Sequence, residues 1–244
     1  YLFCIFGKLD FGYKSITVSV FYCSKLVNSA KSRVVLAGDQ IGSYAPGIDF
    51  CILSFQTVDQ IFVQITGSCN SSVIKTGSSL LRVHFLDVGQ GDCILIDCGE
   101  TEVLIDGGNN GAGDEVVSYL TPYIDGKLDY LIATHPDADH VGGLDAVLEA
   151  FEVGEVIDSG RKSDTDTYKD YWAAVQAEGC TISYGEDRII PLSSLAALSI
   201  LETGNDWEDS NDCSVVAQLT CGNVQVLFTG DMSQQVETKL LPLF

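Results

Sequence analysis

A chain of 244 residues with 46% hydrophobic residues and 24 glycines has room for one large domain, or a medium domain with an appendage, and its composition excludes a disordered chain. No apolar run approaches the roughly 18 to 20 residues of a membrane-spanning helix, and the opening YLFCIF lacks the basic flank and cleavage site of a signal peptide, so a soluble chain is expected. The net charge of −21 is uneven, +2 over residues 1–80 and −23 over 81–244, which disfavours an extended basic nucleic-acid surface and suits a protein that recruits cations into a local site.

In chain order, residues 1–79 form a β-rich segment of unassigned role. SITVSVFYC alternates apolar and polar residues, and FCILSFQTVDQIFVQIT is rich in β-branched and aromatic types, so both predict strands. The polar run GSCNSSVIKTGSS, 67–79, reads as a linker, placing a domain boundary before residue 80. Beyond it, LRVHFLDV (81–88), CILID (93–97) and EVLID (102–106) are short strands separated by glycine-containing turns, an antiparallel meander. DEVVSYLTPYI predicts a helix with Asp114 as N-cap. LDYLIAT is a buried strand, and GGLDAVLEAF a helix with Leu144, Val147, Leu148 and Phe151 on one face. EVID, a helix around 168–177 stopped by Gly179, and strands ALSILET, SVVAQLT and VQVLFTG complete a layered, mixed α/β (α+β) domain over 80–244.

The nine cysteines include no CxxC pair. That gives neither a zinc-ribbon signature nor a disulfide framework, and most are expected to be core thiols. The compartment, cytoplasmic or secreted, stays open.

One stretch concentrates chemistry. THPDADHVGG, 134–143, sets His135 and His140 around Asp137 and Asp139, between a buried strand and a helix. Such a loop lets a rigid sheet hold metal ligands while leaving an ion accessible. Positions 135, 137 and 139 converge on one side of an extended segment and His140 turns to the other, so two nearby cation sites could share the loop. Each Asp alone is more often a cap or a solvated loop residue. The motif nevertheless uses two of the three histidines; the third, His84, reads as a strand residue.

FLDVGQGD, LIDGG, THPDADHVGG, NDCSVV and LFTGD, in that order, make residues 80–240 similar to the metallo-β-lactamase-fold hydrolases, specifically the branch resembling the C-terminal domain of the competence protein ComEC. The resemblance implies a four-layer αββα sandwich with two divalent metal ions between its sheets. It implies that His135 and Asp137 bind the first, that Asp139 and His140 bind the second, that Asp231 bridges them, and that Asp139 also orients the attacking water as the catalytic carboxylate. Many members of the wider superfamily have histidine where this chain has Asp137; a carboxylate there hardens the site, from zinc towards manganese or magnesium. Asn211, Asp212 and Ser214 of NDCS stand where a further histidine is usual and are candidates to contact metal or substrate, with Cys213 read as a small strand residue. Asp87, Gln90 and Asp92 would line the mouth of the site.

Members continue past TGD to a segment resembling His-His-Gly-Ser that supplies another ligand. This chain ends at Phe244, so a domain incomplete at its C-terminus is expected. The implied activity is metal-dependent hydrolysis of a phosphodiester, nucleic acid or small-molecule ester. The alternatives are a lactonase, thioesterase or β-lactamase, against which Asp137 speaks, and a non-catalytic fragment binding metal weakly. Membrane-bound relatives are thought to degrade a DNA strand with this domain, but DNA import does not transfer with the fold, and the oligomeric state is undetermined.

Overall fold

The computed structural model describes residues 2–10, 15–23, 53–55, 60–65, 81–99, 101–221, 224–240 and 242, with the strands before residue 81 and Val224 described by backbone alone. The run read as a linker, 67–79, lies outside them.

Fourteen strands form two sheets among these residues. The first contains β3 (Leu53–Phe55), β4 (Gln60–Ile65), β5 (Leu81–Leu86), β6 (Ile94–Asp97), β7 (Glu102–Ile105), β8 (Lys127–Ala133), β9 (Glu152–Asp158) and β10 (Thr181–Tyr184), in the order β10-β9-β8-β7-β6-β5-β4-β3. The second contains β1 (Leu2–Asp10), β2 (Ser15–Cys23), β11 (Arg188–Pro191), β12 (Ala196–Leu201), β13 (Val216–Cys221) and β14 (Val224–Phe228), in the order β11-β12-β13-β14-β1-β2. From β5 to β7 the pairing is antiparallel, the meander that the short glycine turns predict. From β7 to β10 it is parallel, so each step needs a crossover. These are α1 (Gly113–Leu120), then α2 (Ala138–Val141) with α3 (Leu144–Ala150), then α4 (Asp166–Glu178). Because the parallel strands follow one another in space as in sequence, right-handed crossovers put all these helices on one face.

The period-two alternation of the strands serves both faces. Ile94, Ile96, Val103 and Ile105 point into the core between the sheets, where they meet Leu198, Ile200, Ala217, Leu219 and Phe228. Leu95 and Leu104 point the other way, onto Val116, Leu120, Leu144, Val147 and Tyr171 of the helices. Across the second sheet, Val236 and Leu240 of α5 (Gln234–Leu240) pack against Val216 and Leu227. The layers therefore run helix, sheet, sheet, helix. His84 belongs to the packing, its Nδ1 2.9 Å from the Tyr119 hydroxyl and its ring edge-on to Tyr123. Burial holds its pKa down at about 4 against the pull of Asp97. Among the described residues, Cys93, Cys98, Cys180, Cys213 and Cys221 are free thiols.

Two local differences from the sequence reading have steric and capping causes. α1 starts at Gly113 with Ala112 as N-cap, and Asp114 lies inside the first turn; a Cβ on Gly113 would come 2.8 Å from the Ala146 Cβ, so glycine is what lets this helix end approach α3. α4 is longer than read, capped at its start by the Thr165 side chain accepting from Tyr168 N–H and stopped by Gly179 at φ 72°.

The same close approach seats the loop before α3. A Cβ on Gly143 would overlap the Gly107 carbonyl oxygen and lie 3.2 Å from both Gly113 Cα and N, while Gly107 N–H donates to the His140 carbonyl at 2.8 Å. Gly143→Ala is therefore expected to cost about 2 kcal/mol by overpacking, lowering the melting temperature by roughly 4 to 8 °C. A melt within 1 °C of wild type, to within about that error, would show that the contact is relieved without cost.

Candidate metal centre

The centre lies where β7 and β8 end and the loops before the 3-10 turn Asn211–Cys213 and after β14 come across from the second sheet. Parallel pairing aligns Ile105 with Ile132, so the residues that follow, Asp106 and Thr134, leave the sheet side by side. Asp106 is fully buried and sits at φ 57°, the only described non-glycine at positive φ. Its Oδ1 accepts the Thr134 N–H at 2.8 Å, and its Oδ2 accepts the Thr134 hydroxyl at 2.7 Å and lies 2.8 Å from His140 Nδ1. With Nδ1 committed to the carboxylate, Nε2 is the ring atom directed at the centre; it lies 3.4 Å from Asp231 Oδ1.

His135 is set from the other side. Its Nδ1 lies 3.1 Å from the Thr134 hydroxyl and 3.4 Å from the Ser214 hydroxyl. Its Nε2 is buried without a hydrogen-bond partner, 3.9 Å from Asp137 Oδ2. The two imidazoles are 4.1 Å apart, centroid to centroid. Burial and the charge on His140 hold His135 below its ordinary pKa. In His140 burial works the same way but is outweighed by Asp106 and Asp231, which raise it to about 11.

Ligand atoms of His135, His140 and Asp231 lie within 4.8 Å of one another. Two imidazoles, a carboxylate, a neighbouring second carboxylate on Asp137 and a buried imidazole nitrogen with no donor to serve make a donor set that fits a divalent cation. Ser214 braces it: its hydroxyl donates to the Asn211 carbonyl at 2.6 Å and accepts the Asp231 N–H at 3.2 Å. Asp137 caps α2, whose His140 and Val141 N–H groups reach its carbonyl, and its Oδ1 accepts from the Ser210 hydroxyl at 3.0 Å.

The remaining sequence candidates are distributed differently. Asp139 is not within that cluster; its Oδ2 accepts from Gln90 Nε2 at 2.9 Å in partly exposed surroundings. Asp92 comes within 4.8 Å of Asp106 and His140, and burial, with Asp106 beside it, lifts its carboxyl to about 7. Asp87 accepts the Gly89 N–H at 3.0 Å, a turn-making contact. Asp212 is buried and committed to the start of α5, accepting from Ser233 N–H at 2.8 Å and from the Gln235 amide. Asn211 contributes its carbonyl to Ser214. Cys213 is buried, its thiol 3.7 Å from the Asp209 carbonyl.

Asp106 and Thr134 are the residues that reading the sequence for ligands passes over. The available signal was a carboxylate closing an apolar strand and followed by two glycines, LIDGG.

A family model describing the metallo-beta-lactamase superfamily matches residues 86–243, and the chain belongs to that superfamily. Among characterised relatives it is 27% identical over 187 residues to ComE operon protein 3 of Bacillus subtilis, covering 68% of this chain and 24% of that protein. It is 33% identical over 97 residues to Recombination protein 2 of Haemophilus influenzae, covering 38% of this chain and 12% of that one. The chain thus spans a quarter or less of the length of these relatives. Similar solved structures include a metallo-beta-lactamase HARLDQ-motif mutant from Cronobacter sakazakii, 14% identical with a TM-score of 0.43, and metallo-beta-lactamase SMB-1 bound to 2-mercaptoethanesulfonate, 17% identical with a TM-score of 0.43; each alignment covers 60% of both chains. No helix among the described residues is long and apolar enough to cross a membrane.

Asp106→Asn keeps the size of the side chain and its tolerance of positive φ but removes the charge opposite His140. It is expected to weaken Mn²⁺ or Zn²⁺ binding about 10- to 100-fold, read by calorimetric titration, with circular dichroism unchanged. Unaltered affinity would show that Asp106 serves only the fold.

Proposed function

We propose that this domain is a metal-dependent hydrolase of the ComEC-like kind, cleaving phosphodiesters or related esters. The observation that carries the proposal is the convergence of His135, His140 and Asp231, with Asp137 alongside, on a wall held by Asp106. Membership of the superfamily and the two competence and recombination relatives support the same direction.

His135, Asp137, His140 and Asp231 would hold divalent metal, the resemblance implying two ions. When bound, the metal supplies Lewis-acid polarisation of the ester and acidification of water. The protein's own part is orientation and proton handling. Asp106 fixes the ring of His140, and Ser214 fixes the backbone of Asp231. Asp139, held by Gln90 and partly open to solvent, would align a water and take its proton. Asn211 and Asp212 act through the loop and the start of α5 that they hold.

The two carboxylates Asp137 and Asp231 beside two imidazoles, with no thiolate, make the set richer in oxygen, which favours Mn²⁺ over Zn²⁺. Turnover of bis(p-nitrophenyl) phosphate at fixed pH should therefore be faster with Mn²⁺, and Asp139→Asn should lower kcat by about 100-fold or more while leaving the melting temperature of the metal-free protein unchanged. Turnover with Zn²⁺ alone would overturn the metal preference; full activity in the variant would remove Asp139 from the reaction.

A further inference from the structure

Asp137, beside the candidate metal centre, also lines a cavity of about 670 Å³, together with Arg161, Lys162, Glu208, Asp209, Ser210 and Gln235. Two adjacent cations are unusual in the acidic part of this chain, which has seven Lys and Arg in 81–244. Four of the others are committed to carboxylates: Arg82 to Asp97, Lys127 to Glu152, Lys169 to Asp166 and Arg188 to Glu155. Arg161 and Lys162 have no carboxylate within ion-pair distance among the described residues.

The two cations have different work. Arg161 uses its guanidinium on the second sheet's loop, Nη1 donating to the Trp207 carbonyl at 3.1 Å and Nη2 to the Glu208 carbonyl at 3.4 Å. That ties the loop after β9 to the loop that carries Ser210, which in turn donates to Asp137. The loop is fixed at its root as well. Buried Asp158 accepts the Gly160 N–H at 2.7 Å and the Tyr171 hydroxyl at 3.0 Å, with Gly160 at φ 77°. Lys162 is therefore presented from a braced segment, exposed, with its ammonium left to a ligand. Of the lining acids, Asp209 accepts the Asn211 N–H at 3.1 Å. Lys162 is thus the exposed cation among the lining side chains, set against Asp137, Glu208 and Asp209.

We propose that this cavity is an anion subsite of the substrate, in which Lys162 binds a second phosphate-type group flanking the bond that is cut, with Arg161 as the positioning residue that shapes it. The proposal rests on the hydrolase reading for its substrate but not for its binding chemistry. The second anion could be the next phosphate of a nucleotide chain or a phosphate on a small molecule; the chemistry that Lys162 recognises is the same.

The test uses thymidine 3′,5′-bisphosphate and thymidine 5′-monophosphate as probes, titrated calorimetrically into the Mn²⁺-loaded wild type, Lys162→Glu and Lys162→Arg. Lys162→Glu should weaken the bisphosphate at least about tenfold more than the monophosphate, with Lys162→Arg restoring most of the difference. In parallel, kinetics on the p-nitrophenyl ester of thymidine 3′,5′-bisphosphate should show a raised KM and a retained kcat in Lys162→Glu, while bis(p-nitrophenyl) phosphate, which has no second anion, is cut as by wild type. A di- or trinucleotide carrying the same ester separates the two sources: a further drop in KM that Lys162→Glu removes assigns the subsite to a chain phosphate, and no drop assigns it to a small molecule. Equal loss for both probes, or no preference for the bisphosphate in wild type, overturns the subsite. Retained bisphosphate preference with no hydrolysis of any ester would leave the subsite standing and overturn the hydrolase reading instead.

Discussion

The carboxylate of Asp106 is the constraint around which the centre is built. A carboxylate with no solvent contact is costly unless every accepting position is filled, and here the Thr134 N–H, the Thr134 hydroxyl and the His140 ring do so. Removing one partner would leave a buried charge uncompensated, an effect of about 3 to 5 kcal/mol in such pairs. This is why His140 cannot turn away from the centre and why β7 and β8 must end in register. Positive φ at Asp106 costs something locally, tolerated because aspartate is among the few residues that visit that region readily.

From Asp106 the constraint passes across the sandwich. The Thr134 carbonyl accepts the Val215 N–H at 2.8 Å, and the neighbouring Ser214 hydroxyl reaches both the His135 ring and the Asp231 backbone. Both sheets thus contribute to one cluster, and neither alone would make it. Glycine contacts close the remaining gap: a Cβ on Gly91 would run into the Asp139 carbonyl, so the loop bearing Gln90 lies directly against the loop bearing the histidines. Gln90 then reaches Asp139 with a hydrogen bond that ties the two segments.

What the sequence made legible follows from what is local. THPDADHVGG reads as a loop between a buried strand and a helix near Gly142; the strand is there, but residues 138–141 already form the short helix α2. An extended segment would put His140 opposite His135 and Asp139 beside it; the turn of α2 instead brings the two rings 4.1 Å apart and leaves Asp139 outside the cluster. Asp106 was not legible as a site residue, because its partners lie 28 and 34 positions away and are brought to it only by parallel pairing of β7 with β8. Asp212 read as a possible ligand because its neighbours in sequence suggested a site; its carboxylate instead serves the start of α5, 21 residues on. The short strands β10 and β11 and helix α5 escaped detection for a simpler reason. β10 is largely exposed, β11 ends in proline, and α5 buries only Val236 and Leu240, too few apolar positions to set a period.

The acidity of the chain has a different meaning at each depth. On the surface its carboxylates are solvated or paired with the few cations, and at that depth each pair is worth little. In the interior, carboxylates do positional work: Asp158 roots the loop after β9 through Gly160 and Tyr171, and Asp106 roots the loop after β8 through Thr134 and His140. Asp106 follows the end of β7 and Asp158 closes β9, the two parallel strands flanking β8, so one structural device is used twice. The first fixes imidazoles, the second fixes the segment bearing Arg161 and Lys162. The imidazole centre and the segment bearing Arg161 and Lys162 thus both leave from strand ends of the same sheet.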